Sequence, residues 1–587
     1  MFLGQNKIFL LQKMFIIKRI SLIIAICLVA VISYSNSFNG PFHFDDLPFI
    51  VENQTIRDIG DIGAIWKGVL PQHSRFVAFY TFALNYHFNK LDVFGYHVTN
   101  LVIHIISSLL VWWFVALLID SPGINDERIV KNKHNISFFT ALLFVCHPVQ
   151  TQAVVYISQR FASLSTMFYL LALCMYLYGR SFRSRGKIVW FVGSGLAALL
   201  SMFTKEIAIT IPIMLLVIEI ILLNPQMSIK GHLLSMKRNN RWIYCLLIFS
   251  FLLIIPQQFD FSIKSQLFSE KISNSHNGDV ITFARYFVTQ FRVVMTFIRL
   301  LFIPVNQNVD YDFALSKSIF EPAAFFSFLA FIMLFGFGIF YRYKDRLVSF
   351  GIFWVIVTFL PNFIPRSDVI FEHKLYLISV GFCIVIVTML FRSIKEPRNA
   401  IAILCILTIV YSKLTYQRNI VWGSELSLWE DIAKKSPKKW RVHYNLGSEY
   451  SILQKNELAL LSFNESLRLN PVNADSYNNR GNIYARTGMY EQALRNYNKA
   501  IELDSKNAKA YNNRGSIYRL EGQLDKALSD YNKAVELDEN YSFAYFNRSM
   551  LFSIKGDYRN AYYDAIKART LGRNIQDSYL NELREKY

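Results

Sequence analysis

The sequence predicts an all-α protein in two parts, a polytopic membrane domain followed by a helical-repeat solenoid. Three observations carry that prediction. Apolar runs fill residues 1–420. Basic residues fall in the short loops between those runs. The polar remainder repeats with a fixed spacing of 34 residues. At 587 residues the chain has room for several domains, and at 53% hydrophobic and 16% aromatic it is too apolar for a soluble globular protein of that length. The net charge of +20 is spread over many loops rather than gathered in one patch, which argues against a nucleic-acid partner. Cys146, Cys174, Cys245, Cys383 and Cys405 sit within apolar runs, with no zinc spacing and no disulfide framework.

In chain order the apolar runs are 20–36, 97–119, 136–155, 161–179, 188–203, 207–223, 242–256, 284–303, 321–341, 348–364, 375–391 and 399–416. Lys13, Lys18 and Arg19 precede the first run, and no clear small-residue cleavage site follows it, so it reads as an uncleaved span with a cytoplasmic N-terminus. Five loops are basic: Arg128 to Lys133, Arg180 to Lys187, Lys230 to Arg241, Arg342 to Arg346 and Arg392 to Arg398. All five are cytoplasmic by the positive-inside rule. Three runs separate the third loop from the fourth, and an odd number of crossings cannot join two points on one side. The run 284–303 carries Arg285, Arg292 and Arg299, charges costly in a lipid-facing span, and reads as a re-entrant or interfacial helix on the outer face. About eleven spans remain. The expected domains are therefore 1–420 in the membrane, with outer-face loops 37–96, 257–320 and 363–374; 421–440 as linker and capping half-repeat; 441–574 as four repeats; and 575–587 as a tail. The repeats lie outside the cytoplasm, at a bacterial inner membrane or, in a eukaryote, in the endoplasmic reticulum.

The repeats are tetratricopeptide (TPR) units. Gly447, Gly481 and Gly515 recur 34 apart with Ser549 in fourth place, and Ala459, Ala493, Ala527 and Ala561 keep the same phase, as do Tyr450, Tyr484, Tyr518 and Phe552. Small residues let the two helices of a unit approach, and the aromatics fill the space between units. Asn445, Asn479, Asn513 and Asn547 share one position. An amide both donates and accepts, so such a ladder suits an extended acceptor peptide held by its backbone; it equally suits a repeat satisfying its own backbone. It resembles the asparagine ladder of the nucleocytoplasmic N-acetylglucosamine transferases.

The sharpest chemical feature is Pro41-Phe42-His43-Phe44-Asp45-Asp46, just past the first span. One carboxylate can take a proton from an acceptor hydroxyl, and the other can position it or hold a divalent cation; the plain alternative is a solvated loop. Arg75, Asn85, His97, Asn100 and His104 follow, the last three on one helical face, where a polar cavity lining is favoured over a metal site. His147, Arg160 and the pair Lys205-Glu206 mark outer span ends; His147 joins the cavity candidates, and Arg75, Arg160, Lys205 and Glu206 are candidates for the donor, though an exposed turn explains the Lys205-Glu206 pair equally well. Arg292 and Arg299 suit a lipid-linked phosphate or ordinary snorkelling to headgroups, and Glu372, His373 and Lys374 open the next inward span, where they are candidates to orient the donor's phosphate or sugar or simply mark the interface. No metal-ligand motif identifies a cofactor.

In order along the chain, FHFDD (42–46), Arg75 to Asn85, GYHVTNLVIH (95–104), HPVQTQAV (147–154) with Arg160, TKEIAITIP (204–212), FIRLLFIP (297–304), EHKLYLISVGF (372–382), SLWEDIAKKSP (427–437) and the repeats resemble the transmembrane and TPR-containing protein O-mannosyltransferase family and its bacterial homologues. The resemblance implies a GT-C glycosyltransferase using a polyprenyl-phosphate sugar donor, with Ser or Thr of a protein as acceptor. It makes Asp45 or Asp46 the base, assisted by His43, and sets Arg and Lys residues of the later outer loops on the donor phosphate. The family usually has His and Glu where Gln150 and Gln152 stand, Arg and Pro at Lys374 and Ile378, and Pro-Leu at Phe76 and Val77. These departures bear on the sugar more than on the reaction. Two other readings stand beside it: a membrane-anchored scaffold for protein assembly without catalysis, and a transporter, which would carry charges deep within its spans.

Overall fold

The computed structural model describes residues 20–68, 75–181, 186–225, 273–274, 280–366 and 368–587. The expected run 242–256, most of the segment 257–279, and the basic residues Lys13, Lys18, Arg19, Arg183, Arg185, Lys230, Lys237, Arg238 and Arg241 lie outside them. The chain divides into two compact units, Met1–Leu428 and Trp429–Tyr587, with the boundary inside the expected linker 421–440.

In the first unit seven helices are long and apolar enough to cross a membrane: Val93–Ile119, Ile157–Ser181, Glu206–Leu223, Pro322–Lys344, Arg346–Phe363, Glu372–Ser393 and Pro397–Val421. Ile20–Tyr34, Lys133–Cys146 and Lys187–Met202 are shorter apolar helices. The run 136–155 is helical only as far as Cys146. Pro148 lacks an N–H, and His147 before it is extended, so the chain leaves the helix there and proceeds in short turns to the helix Arg160–Ser181.

Phe283–Phe302 is helical but is not among the membrane-crossing helices. Tyr286, Gln290, Phe291, Val294, Phe297 and Leu301 bury one side of it, while Arg285, Arg292 and Arg299, seven residues apart, share another. A two-residue antiparallel pair, Ser273–Asn274 with Val280–Ile281, precedes it and is the small departure from the all-α expectation among the described residues.

Helices that lie in lipid gain little from apolar burial, so small residues and buried hydroxyls set their contacts. Ser165 and Ser201 exchange side-chain hydrogen bonds with each other's carbonyls, at 3.2 and 2.8 Å. Gly351 and Gly381 bring Arg346–Phe359 against Leu375–Ser393: a Cβ on Gly381 would lie 2.6 Å from the Gly351 carbonyl oxygen.

The polar ends of the bundle differ. At one end Arg128 donates to the carbonyls of Arg392 (3.0 Å) and Lys395 (2.8 Å), Arg392 pairs with Asp345 (2.6 Å), Arg346 donates to Gly123 O (2.7 Å), and Gly123 N donates to Leu222 O (2.7 Å). Arg180 reaches Glu219 in the same region (3.0 Å). The described parts of the basic loops therefore meet at one end, as segments on one side of a membrane must.

The second unit is four helix pairs: Trp440–Ile452 with Asn456–Leu469, Ala474–Arg486 with Tyr490–Leu503, Ala508–Leu520 with Leu524–Leu537, and Ser542–Ile554 with Tyr558–Thr570. A Cβ on Gly481 would meet the Tyr497 ring at 2.6 Å, which explains the small residue at that phase. Gly488, Gly522 and Gly556 turn between paired helices at φ near +78°, +75° and +79°. Tyr450 in the first pair donates to Glu430 of the preceding helix Glu425–Lys435, the expected capping half-unit (2.9 Å). The expected tail is instead largely the helix Asp577–Lys586, whose Leu580 and Leu583 bury against Ala561, Ala565 and Ala568 and close the apolar face of the last repeat.

Gly381→Ala is expected to lower the thermal midpoint of the purified protein in detergent by the equivalent of about 1–3 kcal/mol, because the added methyl overpacks a helix crossing. Gly195→Ala, where a Cβ meets nothing within 4 Å, is expected to leave it unchanged.

Candidate active site

Away from the basic-loop end, the chain folds the motif around Asp45 and Asp46 into a tight turn. Phe44 has a left-handed backbone at φ 44°, rare for an aromatic residue, and it separates the environments of the two carboxylates. Asp46 is completely buried. Its Oδ1 accepts the N–H of Ser158 at 2.6 Å and its Oδ2 the N–H of His43 at 3.0 Å, which ties the first loop to the turn before Arg160–Ser181. Asp45 is exposed, and its own N–H donates to the Tyr156 hydroxyl at 2.9 Å. Asp46 therefore builds the turn and Asp45 presents a carboxylate from it.

His43 is buried, and both ring nitrogens face acceptors: Nδ1 donates to Glu425 Oε1 (2.5 Å) and Nε2 to the Trp422 carbonyl (3.0 Å). A ring that donates twice carries two protons. Burial opposes that charge, but the Glu425 carboxylate, the Trp422 carbonyl and Asp46 outweigh it and raise the His43 pKa. Asp46 is raised to about 7, because the cost of burying its charge exceeds what the backbone donors and His43 return.

Beside this turn lies a pocket of ≈ 440 Å³, open mouth included, lined by Lys205, Glu206, Asn362, Arg366, His373 and Lys374, with Ala162 and Leu377 in its apolar wall. Glu206 forms an ion pair with Arg366, whose pKa that carboxylate raises. Lys205, held 3.5 Å from Gln159 Oε1, is lowered to about 7 by burial. Lys374 Nζ and His373 Nδ1 are buried with no hydrogen-bond partner among the described residues. One carboxylate thus faces three basic side chains, an arrangement complementary to an anion. Arg75 lies over the Phe161 ring (5.0 Å), is lowered by burial, and senses the charges of Glu206 and Asp45; Asp45 also acts on Lys205.

The other sequence candidates are placed elsewhere. Arg160, expected at the donor, is fully buried and engaged by protein: Nε with Asn100 Oδ1 (2.6 Å), Nη1 with Asn85 Oδ1 (2.6 Å) and Nη2 with the Tyr96 carbonyl (3.1 Å). Glu372 accepts from Asn308 N (2.6 Å), Gln307 Nε2 (3.2 Å) and Tyr311 Oη (2.5 Å), anchoring the chain after Phe283–Phe302. Arg292 and Arg299 donate to the carbonyls of Ala314 (2.9 Å) and Val305 (3.2 Å) in that same stretch.

The expected polar cavity of His43, Asn85, His97, Asn100, His104 and His147 is a packed seam instead. His97 donates to Gly40 O (2.9 Å), His104 to Val145 O (2.9 Å) and His147 to Leu301 O (2.9 Å), and none of the six lines the pocket. No group of three or more His, Cys, Asp or Glu side chains that could hold a metal ion is found among the described residues. Arg366 was not singled out by the sequence: no local spacing marks it, and its partner Glu206 is 160 positions earlier.

In the repeats the asparagine ladder is stitched from unit to unit. Asn547 Nδ2 donates to Asn512 Oδ1 (2.8 Å), Asn513 Nδ2 to Asn478 Oδ1 (3.0 Å) and Asn482 Oδ1 (2.9 Å), and Asn479 Nδ2 to the Tyr444 hydroxyl (3.3 Å). The ladder's donors thus serve the array, while Asn445, Asn479, Asn513 and Asn547 all remain partly exposed.

The fold and its sites define a multi-pass helical membrane protein that carries a tetratricopeptide-repeat array. Sequence models of the tetratricopeptide repeat match residues 441–473, 462–495 and 508–541, and one described as a TPR repeat matches 481–519. Along most of its length the chain is similar to protein O-mannosyl-transferases. It is 27% identical to protein O-mannosyl-transferase F38B6.6 of Caenorhabditis elegans, over 71% of this chain and 58% of that protein. It is 24% identical to protein O-mannosyl-transferase TMTC1 of Homo sapiens, over 76% and 55% respectively. The chain thus spans little more than half the length of these relatives. Among solved structures, a fragment of MamA from Desulfovibrio magneticus RS-1 is 23% identical and covers 26% of this chain and 89% of its own, with a TM-score of 0.24, too low to carry an argument.

Both shifts in the turn favour acid. A raised His43 stabilises the fold fully below its unfolded value of 6.5 and loses that contribution as pH rises through its folded value. A raised Asp46 likewise contributes fully below 3.8 and loses its contribution as pH rises through about 7. The thermal midpoint in detergent is expected to fall between pH 6 and pH 8.5, and Asp46→Asn is expected to flatten that fall.

Proposed function

We propose that this chain is a GT-C-type membrane glycosyltransferase that moves a hexose such as mannose from a polyprenyl-phosphate donor to Ser or Thr of proteins. The observation that carries this reading is the exposed carboxylate of Asp45 acting electrostatically on Lys205, which lines a pocket together with Arg366 and Lys374. The names of the relatives support protein O-mannosyl transfer. By the positive-inside rule we take the basic-loop end as cytoplasmic, and the Asp45 end and the repeats as periplasmic or lumenal.

In this reading Asp45 takes the proton of the acceptor hydroxyl as its oxygen attacks the anomeric carbon. The bond from that carbon to the phosphate oxygen breaks, and polyprenyl phosphate leaves with the electron pair. Attack from the face opposite the phosphate inverts the centre. A phosphate departs without being protonated, so the pocket acts by holding negative charge rather than by supplying acid. Lys374, buried and unpaired among the described residues, gains an ionic partner when phosphate arrives, as does the part-charged Lys205. The array holds the acceptor segment, with the remaining acceptor capacity of the ladder amides available to its backbone N–H groups.

The test is transfer of labelled sugar from polyprenyl-phosphate mannose to Ser/Thr peptides in membranes. Asp45→Asn is expected to reduce kcat by 10²-fold or more while the protein still folds, since loss of a general base costs about 10²–10⁴. Full transfer by that variant would sink the assignment. Lys374→Met is expected to raise the donor KM at least tenfold. In the wild type the donor KM should rise above pH 7 as Lys205 loses its proton, and Lys205→Met should abolish that pH dependence.

A further inference from the structure

Trp422 and Glu425 follow the last long helix, Pro397–Val421, at the point where the first unit hands over to the second. They touch both halves of the carboxylate turn. The Trp422 carbonyl and the Glu425 carboxylate receive the two ring N–H groups of His43, whose backbone N–H is in turn read by Asp46. The Trp422 ring, itself buried, stacks on Tyr156 with centroids 5.5 Å apart and 27° between planes, and the Tyr156 hydroxyl receives the backbone N–H of Asp45. Asp45 is thus fixed through Tyr156, which stacks on Trp422, and Asp46 through His43, which bonds both Trp422 and Glu425. The left-handed Phe44 between them, its ring edge-on to Tyr156 at 5.9 Å, is a conformation that persists only where its surroundings enforce it.

We propose that Trp422–Glu425 is a positioning element for the base, with His43, Tyr156 and Glu425 as positioning residues that hold Asp45 in its presented orientation. The proposal rests on Asp45 being the base of the transfer described above. It gives the segment after the last long helix a role beyond linkage: Trp422 and Glu425, both still within the first unit, set the catalytic carboxylate. Glu425 supplies the charge that keeps the His43 ring donating from both nitrogens. Its removal frees one ring nitrogen and leaves the other bond intact, a partial release rather than collapse.

Two measurements on the full-length protein test this. Hydrogen–deuterium exchange is followed for segments 42–47 and 203–207 in the wild type, Glu425→Gln, Tyr156→Phe and His43→Gln. Exchange in 42–47 is expected to accelerate tenfold or more in each variant, with 203–207 unchanged. In the transfer assay Glu425→Gln and Tyr156→Phe are expected to lower kcat tenfold or more with the donor KM unchanged, and His43→Gln combined with Glu425→Gln should be no worse than His43→Gln alone. Unchanged exchange in 42–47 on loss of Glu425 overturns the proposal, as does accelerated exchange with undiminished kcat, or a rise in donor KM in place of the fall in kcat. Full activity in Asp45→Asn, by contrast, would remove the base assignment while the exchange result still decides whether the junction holds the turn.

Discussion

The arrangement of the Asp45 end depends on one buried carboxylate. Asp46 accepts the N–H of Ser158 and the N–H of His43, groups from segments 112 and 3 positions away, and it does so out of contact with water. A charge so buried is tolerated only with several hydrogen bonds and an opposite charge nearby, and the doubly donating His43 ring supplies the second. With that bond in place, the chain from Pro41 onward must pass beneath Tyr156, and Asp45 must emerge on the other side of Phe44. Of two neighbouring aspartates, one is consumed in making the turn that presents the other.

A membrane domain cannot leave backbone or side-chain polar groups unsatisfied in hydrocarbon, so its polar residues either pair within the bundle or collect at its ends. Both solutions occur here. The face of His97, Asn100 and His104 satisfies carbonyls exposed where other helices break, at Gly40, Val154 and Val145. Arg160 does the same with a fork no other side chain offers, spanning Asn85, Asn100 and Tyr96. The end that carries Asp45 then holds the charges that find incomplete internal satisfaction, above all Lys374. Lys374 is the lysine among the buried side chains without a hydrogen-bond partner in the described residues, and in the proposed reading the donor phosphate is the anion that balances it.

How much of this was legible in the sequence follows from the range over which each feature is decided. The repeats were legible because a 34-residue period is local and redundant: Gly481 against Tyr497 is a contact within one unit. The amphipathic character of Phe283–Phe302 was legible for the same reason, since seven-residue arginine spacing fixes a face whatever packs against it. That His97, Asn100 and His104 share a face was equally plain, but whether a face lines a void or a seam depends on segments far away in the chain. Asp45 and Asp46 are indistinguishable in sequence, because a single left-handed residue decides which is buried. Arg366 carried no spacing signal, and Glu372 looked like a binding group because nothing local shows Asn308 and Tyr311 arriving on it.

The asparagines of the repeats sharpen the same point. Identical spacing placed them correctly on one face of each unit, yet spacing is silent on hydrogen-bond direction. Because Asn513 and Asn547 turn their donors toward the preceding unit, the ladder couples neighbouring repeats through amides rather than apolar contacts alone. Each amide oxygen can accept two hydrogen bonds and is engaged from within its own unit at most in part, as where Asn512 donates to Asn513 Oδ1 at 3.2 Å. In the proposed acceptor role, a chain lying on this surface is recognised by what it donates to those amide oxygens. Backbone N–H groups are the donors that every extended segment carries irrespective of sequence, save at proline. In that role, the stitching that couples neighbouring repeats also biases the array toward reading a main chain rather than particular side chains.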